Sequence, residues 1–156
     1  MSRVDISAIL VFHHERGLAC ASIVSFARMV AKTRNAGLSV ETLALLDDPD
    51  PITAEIVTTA GSTFDRIEQV NYRDLGLTRN HGTRVAIGEY LSFLDGDDLW
   101  GAEWLCKSHI RASSRPGAIL HPEYVYLFFE GDFSRHTLAT KPRRGTRSHY
   151  MRHIDS

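Results

Sequence analysis

The sequence predicts an α/β protein built on a mostly parallel sheet with helices on both faces. Short apolar runs alternate with longer segments of helical periodicity, which is typical of strand–helix–strand crossover units. The 156 residues are enough for one domain with a sizeable core. A content of 43% hydrophobic and 24% charged residues is that of an ordinary soluble globular protein. No apolar run approaches the roughly 18–20 residues that cross a bilayer, so neither a membrane span nor a signal peptide is predicted.

The first two strands and helices are predicted between residues 6 and 60. Ile6–Phe12 is a compact apolar run that predicts a strand, and Leu18–Asn35 then has apolar residues at helical spacing. Val40–Leu46 is the second predicted strand. Asp50, followed by proline, is typical of a helix N-terminus, and this helix should run to about Ala60.

The next two strands are predicted on either side of a loop and a short helix. Phe64–Val70 alternates as a strand does, and Asn71–Leu77 resembles a loop. Arg79–Ile87 is predicted to be a short helix, and Tyr90–Leu94 to be a strand. This strand should end at Asp95, because an Asp-Gly-Asp-Asp run cannot continue a buried strand.

The remaining chain divides into a structured part and a basic end. Ala102–Ala112 is predicted to be helical, and Gly117–Leu120 and Tyr124–Phe129 to be strands. Residues 1–132 should form the domain. Residues 133–156 hold several Lys and Arg against one acid, Asp155, and few apolar residues. They predict a poorly ordered basic tail, with a docking helix or peripheral contact with an anionic membrane as alternatives.

Net charge and cysteines limit the partners and the compartment. The 18 Lys and Arg nearly cancel the 19 Asp and Glu, so no nucleic-acid partner is predicted. Cys20 and Cys106 lie in predicted helices rather than in a spaced disulfide framework. They predict reduced, buried thiols and a cytoplasmic location.

Three polar clusters follow predicted strands, at His13–Arg16, Asp47–Asp50 and Asp95–Asp98. Carboxyl ends of parallel strands meet at one edge of a sheet, where ligands bind in α/β proteins. Crowded carboxylates favour a hard divalent cation such as Mg²⁺ or Mn²⁺ there. The alternatives are an acidic turn that caps the next helix and a solvated loop. His13 and His14 are adjacent, so an extended backbone should point them to opposite faces.

The stretch GLTRNHGTRVAIGEYLSFLDGDD, at residues 76–98, resembles the most characteristic part of glycosyltransferase family 2. The family pattern has an Arg-Asn-x-Gly and a Gly-Glu-Tyr that lead into a strand ending in Asp-x-Asp-Asp. The residues that fit are Arg79, Asn80, Gly82, Gly88, Glu89, Tyr90, Phe93, Leu94, Asp95, Asp97 and Asp98. The resemblance extends over roughly residues 5 to 130.

The resemblance implies a GT-A type fold, a Rossmann-like three-layer sandwich that binds a nucleotide-diphosphate sugar, commonly UDP-linked. By the family pattern Asp95 lies near the ribose and the sugar. Asp97 ligates the Mg²⁺ or Mn²⁺ that bridges the two phosphates, with Asp95 beside it. Arg79 is placed near the donor or in a buried structural role.

The resemblance also implies a pocket for the nucleobase. The acid after the second strand contacts the base, which carries over to Asp48 with Asp47 beside it. The end of the first strand lines the same pocket, here with Phe12, His13 and Glu15.

The resemblance leaves the acceptor half of the enzyme unassigned. Inverting transfer needs a carboxylate base for the acceptor hydroxyl, and the family supplies it beyond the Asp-x-Asp. No acid here stands in a recognisable base motif, so no catalytic base is assigned, and the acceptor-binding half is expected to be truncated. The acceptor, whether a glycan, a lipid-linked sugar or a protein, is not specified.

Two other functions are compatible with the sequence. The chain could be a truncated, non-catalytic module that binds a donor or a partner chain. Alternatively, the Asp-x-Asp after an apolar strand is similar to the haloacid-dehalogenase phosphatases, where Asp95 would be the nucleophile and Asp97 the acid/base.

Overall fold

Four parallel strands form the main sheet. A computed structural model describes residues 3–122, 124–129 and 132–137 of the chain. The strands are β1 (Val4–Phe12), β2 (Val40–Asp47), β3 (Arg66–Val70) and β4 (Gly88–Asp95), in the order β3-β2-β1-β4. Every pairing in this sheet is parallel. The predicted α/β class with a mostly parallel sheet is therefore confirmed.

Helices cover both faces of the sheet, as predicted. They are α1 (Gly17–Asn35), α2 (Pro51–Thr59), α3 (Leu75–Val85) and α4 (Trp104–Ser113). One face of β1 and β2 packs with α1, α2 and α4 in a core that includes Phe12, Phe26 and Leu105. The other face packs Ile9 and Leu45 against the end of α3. The strands are thus the middle of three layers.

The inner strands are the most buried part of the fold. All of β2 is buried, and β1 is buried from Ile6 to Phe12, because each lies between two neighbouring strands and two layers of helices. The β4 strand starts at Gly88, which lies against the backbone of β1. A Cβ added to Gly88 would lie 2.6 Å from the carbonyl carbon of Ile6, so only glycine fits at this contact.

Several boundaries differ from those that the sequence predicts. Helix α3 begins at Leu75, four residues before Arg79, because the Asp74 carboxylate caps it by accepting from the amide of Leu77 at 2.7 Å. Strand β3 begins at Arg66, two residues later than predicted, because the chain leaves a 3₁₀ turn at Gly61–Thr63 and still bends at Asp65. The strand predicted at 117–120 is wrong, since those residues are turn and coil. The predicted cap of α2 is confirmed, with Asp50 accepting from two helix amides.

The chain divides into two units, Met1–Pro116 and Gly117–Ser156. In the second unit, β5 (Tyr124–Phe129) pairs with β6 (Asp132–Thr137) as an antiparallel hairpin. Strand β6 crosses the boundary predicted at residue 132. Residues 138–156, most of the predicted basic tail, lie outside the described residues. The tail's order and its membrane contact stay predictions.

Both cysteines are free, but only part of the prediction made for them is correct. Cys20 is exposed and Cys106 is half-buried, so neither is the buried thiol that its helix predicted. Cys20 lies on the outward face of α1, whose inward face carries Ala19 and Ile23. Among the described residues, none of the helices combines the length and the apolar character needed to cross a membrane.

Candidate functional site

The carboxyl ends of β1, β2 and β4 meet around one cleft of about 300 Å³. Their convergence follows from the parallel order, in which β1 lies between β2 and β4. Six residues singled out in the sequence line the cleft: Phe12, His13, Glu15, Asp47, Asp95 and Asp97. Asp48 and Arg79 are next to it but do not line it. The loop after β3 contributes Arg73 and Asp74, and the start of α3 contributes Leu75; the sequence pattern singles out none of the three.

Asp47, at the end of β2, holds one wall of the cleft together through its hydrogen bonds. It is only 4% exposed. Its Oδ1 accepts from the amides of Tyr72 and Arg73 at 2.7 and 2.9 Å. Its Oδ2 accepts from the amide of Asp74 at 3.1 Å and from the Thr78 hydroxyl at 2.6 Å. Both carboxylate oxygens are therefore used to hold the loop after β3 and the first turns of α3.

The same contacts keep Asp47 ionised. Burial alone would raise the pKa of this carboxyl, but the hydrogen bonds from Thr78 and the three amides outweigh burial and hold its pKa below the usual value. With both oxygens occupied, Asp47 has little capacity left for a ligand. Asp47 lines the cleft, and its contacts are those of a residue that holds the neighbouring loop in place.

Asp48 has a different environment although it is the next residue. Its backbone is left-handed, with φ 48°. Its Oδ2 lies 2.6 Å from Nε of Arg73, and about a third of its side chain is exposed. Of the two acids after β2, Asp48 is the one that can still accept a hydrogen bond from a ligand.

The two histidines after β1 lie side by side, contrary to the expectation of opposite faces. Their rings stack at 3.7 Å with planes 12° apart. The strand ends at Phe12 and the chain bends at both histidines, so the alternation of an extended strand no longer applies. Nδ1 of His13 donates to the Asp47 carbonyl, and Nε2 of His14 donates to the Asp48 carbonyl at 3.0 Å. The pair ties the end of β1 to the end of β2.

Asp95 at the end of β4 pairs with Arg79 of α3. The distance from Nη2 to Oδ1 is 2.6 Å, and both side chains are about one quarter exposed. Nε of Arg79 is buried and has no hydrogen-bond partner among the described residues. The family resemblance gives two possible roles for Arg79, a contact with the donor and a buried structural role. Its ion pair with Asp95 places it next to the cleft.

The turn after β4 packs closely on β1. Gly96 is buried, and a Cβ on it would lie 2.8 Å from Cε1 of Phe12. The amide of Asp98 closes the turn by donating to the Asp95 carbonyl at 3.1 Å. The glycine therefore lets the acidic turn sit on the Phe12 ring, which keeps Asp97 at the cleft.

Negative charge at this turn is incompletely neutralised. Asp98 is exposed by its solvent-accessible area, yet the surrounding protein reduces its hydration and raises its pKa to about 6, with the carboxylates of Asp97 and Asp95 adding to the effect. Burial also raises the pKa of Glu15, and the charge of Asp97 contributes. Arg79 is the cation that opposes this effect at Asp98. A cation is thus favoured electrostatically near Asp97.

The residues present fit a divalent cation of a particular kind. Among the described residues no three His, Cys, Asp or Glu side chains are grouped as a metal site. Asp97 is exposed, and its carboxylate makes no hydrogen bond within the described part of the chain, so it can ligate. Mg²⁺ typically takes one or two carboxylates and completes its shell with water and substrate phosphates. The cleft suits a cation that arrives with a phosphate ligand rather than one held by the protein alone.

Strained backbone also concentrates at this edge. Among the described residues, the non-glycine positions with positive φ are Arg16 (50°), Asp48 (48°) and Arg73 (53°). They lie in the loops after β1, β2 and β3. Strain of this kind tends to persist where surrounding contacts impose it, often at functional sites.

Comparisons with known proteins give a likeness of fold. No protein-family model matches the chain, and no curated protein sequence matches it. Among solved structures, S. aureus TarS 1–349 is 19% identical with a TM-score of 0.60, over 77% of this chain and 39% of that chain.

The same protein has been solved with ligands. The complex of S. aureus TarS 1–349 with UDP has a TM-score of 0.61 at 19% identity, over 77% of this chain and 39% of that chain. The complex with UDP-GlcNAc has a TM-score of 0.57 at 18% identity, over 77% and 38%. The chain therefore spans about two fifths of TarS 1–349, and the likeness shows a shared α/β fold.

Proposed function

We propose that the cleft binds a nucleotide-diphosphate sugar, UDP-linked, together with Mn²⁺ or Mg²⁺, and that the chain serves glycosyl transfer as a member of glycosyltransferase family 2. The observation that carries the proposal is the convergence of three strand ends on one cleft with Asp97 free at its acidic side. The UDP and UDP-GlcNAc complexes of TarS, which has the same fold, support this ligand class.

Residues on the two sides of the cleft are assigned to different parts of the donor. Asp97 and Asp95 follow β4, where excess negative charge favours a metal ion that neutralises the diphosphate. Asp48 follows β2 and stands next to the cleft lining, and we assign the part of its carboxylate that remains exposed beside Arg73 to the base. Phe12, His13 and Glu15 lie between them, at the end of β1.

Titration calorimetry with UDP tests the proposal. We expect UDP to bind in the presence of Mn²⁺ and to bind at least about tenfold more weakly after EDTA or in Asp97→Ala, because the diphosphate charge then lacks its counterion. Glu55→Ala is the matched control, since it removes one exposed acid on α2 away from the cleft and should not change affinity. Equal binding by Asp97→Ala and wild type would refute the metal assignment.

Turnover is tested separately from binding. Release of UDP from UDP-GlcNAc, followed with and without candidate acceptors, reports transfer or slow hydrolysis of the donor. Tight Mn²⁺-dependent binding without UDP release would identify a donor-binding module that does not catalyse transfer.

A further inference from the structure

Helices α1 and α4 lie in the same layer and form a surface to which neither helix contributes an acid. Neither contains an Asp or a Glu, although the chain has 19 acidic residues. The carboxylate of Glu103, just before α4, accepts from Nζ of Lys32 at 2.8 Å and from Nζ of Lys107 at 2.6 Å. Since Glu103 bridges these two lysines, the cations of both helices share one surface.

Three arginines extend this surface along the helices. Arg28 lies one turn before Lys32 on α1, Arg111 lies one turn after Lys107 on α4, and Arg115 follows one turn later. The three arginines are exposed, and none of them forms an ion pair within the described part of the chain. We call the surface of these five cations the basic face.

The basic face is not neutralised by the acid that it contacts. Hydrogen bonds from Lys107 and Lys32, together with their charges, lower the pKa of Glu103 to about 2, so this acid is ionised and offsets one cation. The chain has a net charge of −1 because its acids lie elsewhere, for example at the cleft. A local excess of positive charge acts over roughly 8–10 Å at physiological salt and attracts an extended anionic surface.

Aliphatic side chains are exposed among these cations. Ile110 is 72% exposed and lies beside Lys107 and Arg111 on the outward side of α4. Val24 is 52% exposed and lies one turn before Arg28 on α1. Cations mixed with exposed aliphatic side chains are typical of surfaces that lie in the headgroup region of a membrane.

The composition of the basic face favours a lipid surface over a nucleic acid. Sites for single-stranded nucleic acids place aromatic rings beside the cations, so that the bases can stack. The rings of Phe26 in α1 and Trp104 in α4 pack in the apolar core instead. Ile110 gains nothing from a phosphate backbone, whereas it leaves water when it enters the acyl boundary of a membrane.

We propose that the basic face binds an anionic phospholipid membrane, with its cations at the lipid headgroups and Ile110 at the acyl boundary. This proposal does not depend on the donor site, whose residues lie at the carboxyl ends of the strands. It also differs from the contact predicted for the basic tail, since α1 and α4 both precede residue 117.

Sedimentation of the full chain with phospholipid vesicles tests the proposal. We expect binding to phosphatidylcholine vesicles that contain about one third phosphatidylserine, and none to pure phosphatidylcholine. Arg111→Glu should weaken binding about twentyfold, because each cation near an anionic surface contributes roughly fivefold and a reversal counts twice. Arg84→Glu is the matched control, since Arg84 is also an exposed arginine without an ion pair in the last turn of a helix. It lies on α3, across the sheet, and should change binding less than about twofold.

A second pair of variants tests the apolar contact. Ile110→Ser should weaken vesicle binding about fivefold, the loss of one partly inserted aliphatic side chain. Ile87→Ser is its control, because Ile87 is 66% exposed but lies between α3 and β4. All four side chains are exposed, so thermal unfolding followed by circular dichroism should be the same as in wild type.

Three results would overturn the proposal. The first is a wild-type chain that does not sediment with the anionic vesicles. The second is a loss of binding in Arg111→Glu that is no larger than the loss in Arg84→Glu, which would place the contact outside the basic face. The third is binding to polyglutamate or an oligonucleotide that is as tight as binding to vesicles and is unaffected by Ile110→Ser, which would identify an acidic polymer as the partner.

Discussion

Asp47 is a buried carboxylate whose two oxygens hold the loop after β3 and the first turn of α3 at the cleft. The family resemblance placed an acid of this pair at the nucleobase, and both acids do lie at the end of β2. Their environments differ because Asp47 is enclosed by the loop after β3, whereas Asp48 points to Arg73. No sequence pattern distinguishes two adjacent aspartates whose partners lie about 25 residues further along the chain.

Asp47→Asn should therefore destabilise the fold more than a surface substitution does. The amide would turn an acceptor into a donor facing the loop amides or Thr78, and it would remove the charge from hydrogen bonds that each contribute about 1.5–3 kcal/mol. We expect a loss of about 2–4 kcal/mol in urea unfolding at pH 7. Asp48→Asn, which removes only an exposed ion pair, should cost less than about 1 kcal/mol and is the control.

The pH dependence of this loss has a defined sign. The folded-state pKa of Asp47 is lowered from its ordinary value of 3.8. Its stabilising effect is therefore fully present above about pH 4.5 and disappears as the pH falls through the folded-state pKa. The difference in unfolding free energy between wild type and Asp47→Asn should be constant from pH 7 to about pH 4.5 and shrink below it. A difference that grows on acidification would contradict the role assigned to Asp47.

At the scale of the elements, apolar periodicity predicted where the sheet and its helices lie, because burial between two helical layers demands continuous apolar strands. Strand β2 and helix α1 were placed within about two residues of their observed bounds. The sequence does not predict the start of α3, since its first turn contains a glycine and its two leucines, Leu75 and Leu77, are exposed instead of forming a buried stripe. The strand predicted at Gly117–Leu120 is wrong, because four residues are too few to tell a strand from an apolar coil.

Gly88 is the element-scale test of the β1–β4 pairing. A Cβ there would meet backbone atoms of Ile6 and Ser7, which cannot move aside without separating the strands. Gly88→Ala should cost about 2–3 kcal/mol in urea unfolding, as overpacking of a core does. Gly101→Ala is the control, because a Cβ at that position meets nothing within 4 Å. If Gly88→Ala unfolds with a free energy within about 0.5 kcal/mol of wild type, β1 and β4 can move apart to accept the Cβ, and the contact at Gly88 is not a tight one.

At the scale of the whole molecule, the overall composition gives no indication of the acidic cleft. The net charge of −1 predicts no strong field, yet acids accumulate where three strands end. Their convergence could be predicted from the parallel topology alone, since carboxyl ends share one edge. The partners within that edge, such as Arg79 for Asp95 and Arg73 for Asp48, depend on loop conformations and helix starts that no periodicity encodes.

All residues that line the cleft belong to the first unit, Met1–Pro116. That unit also holds the four-stranded sheet, its four helices and both packed faces. A chain ending at Pro116 should therefore fold and bind UDP with Mn²⁺ within about threefold of the full chain, which corresponds to less than about 0.7 kcal/mol. Circular dichroism checks the folding and calorimetry the affinity, with Asp97→Ala in the shortened chain as the control for site-specific binding. Retained folding with lost UDP binding would mean that residues beyond Pro116 take part in holding the donor.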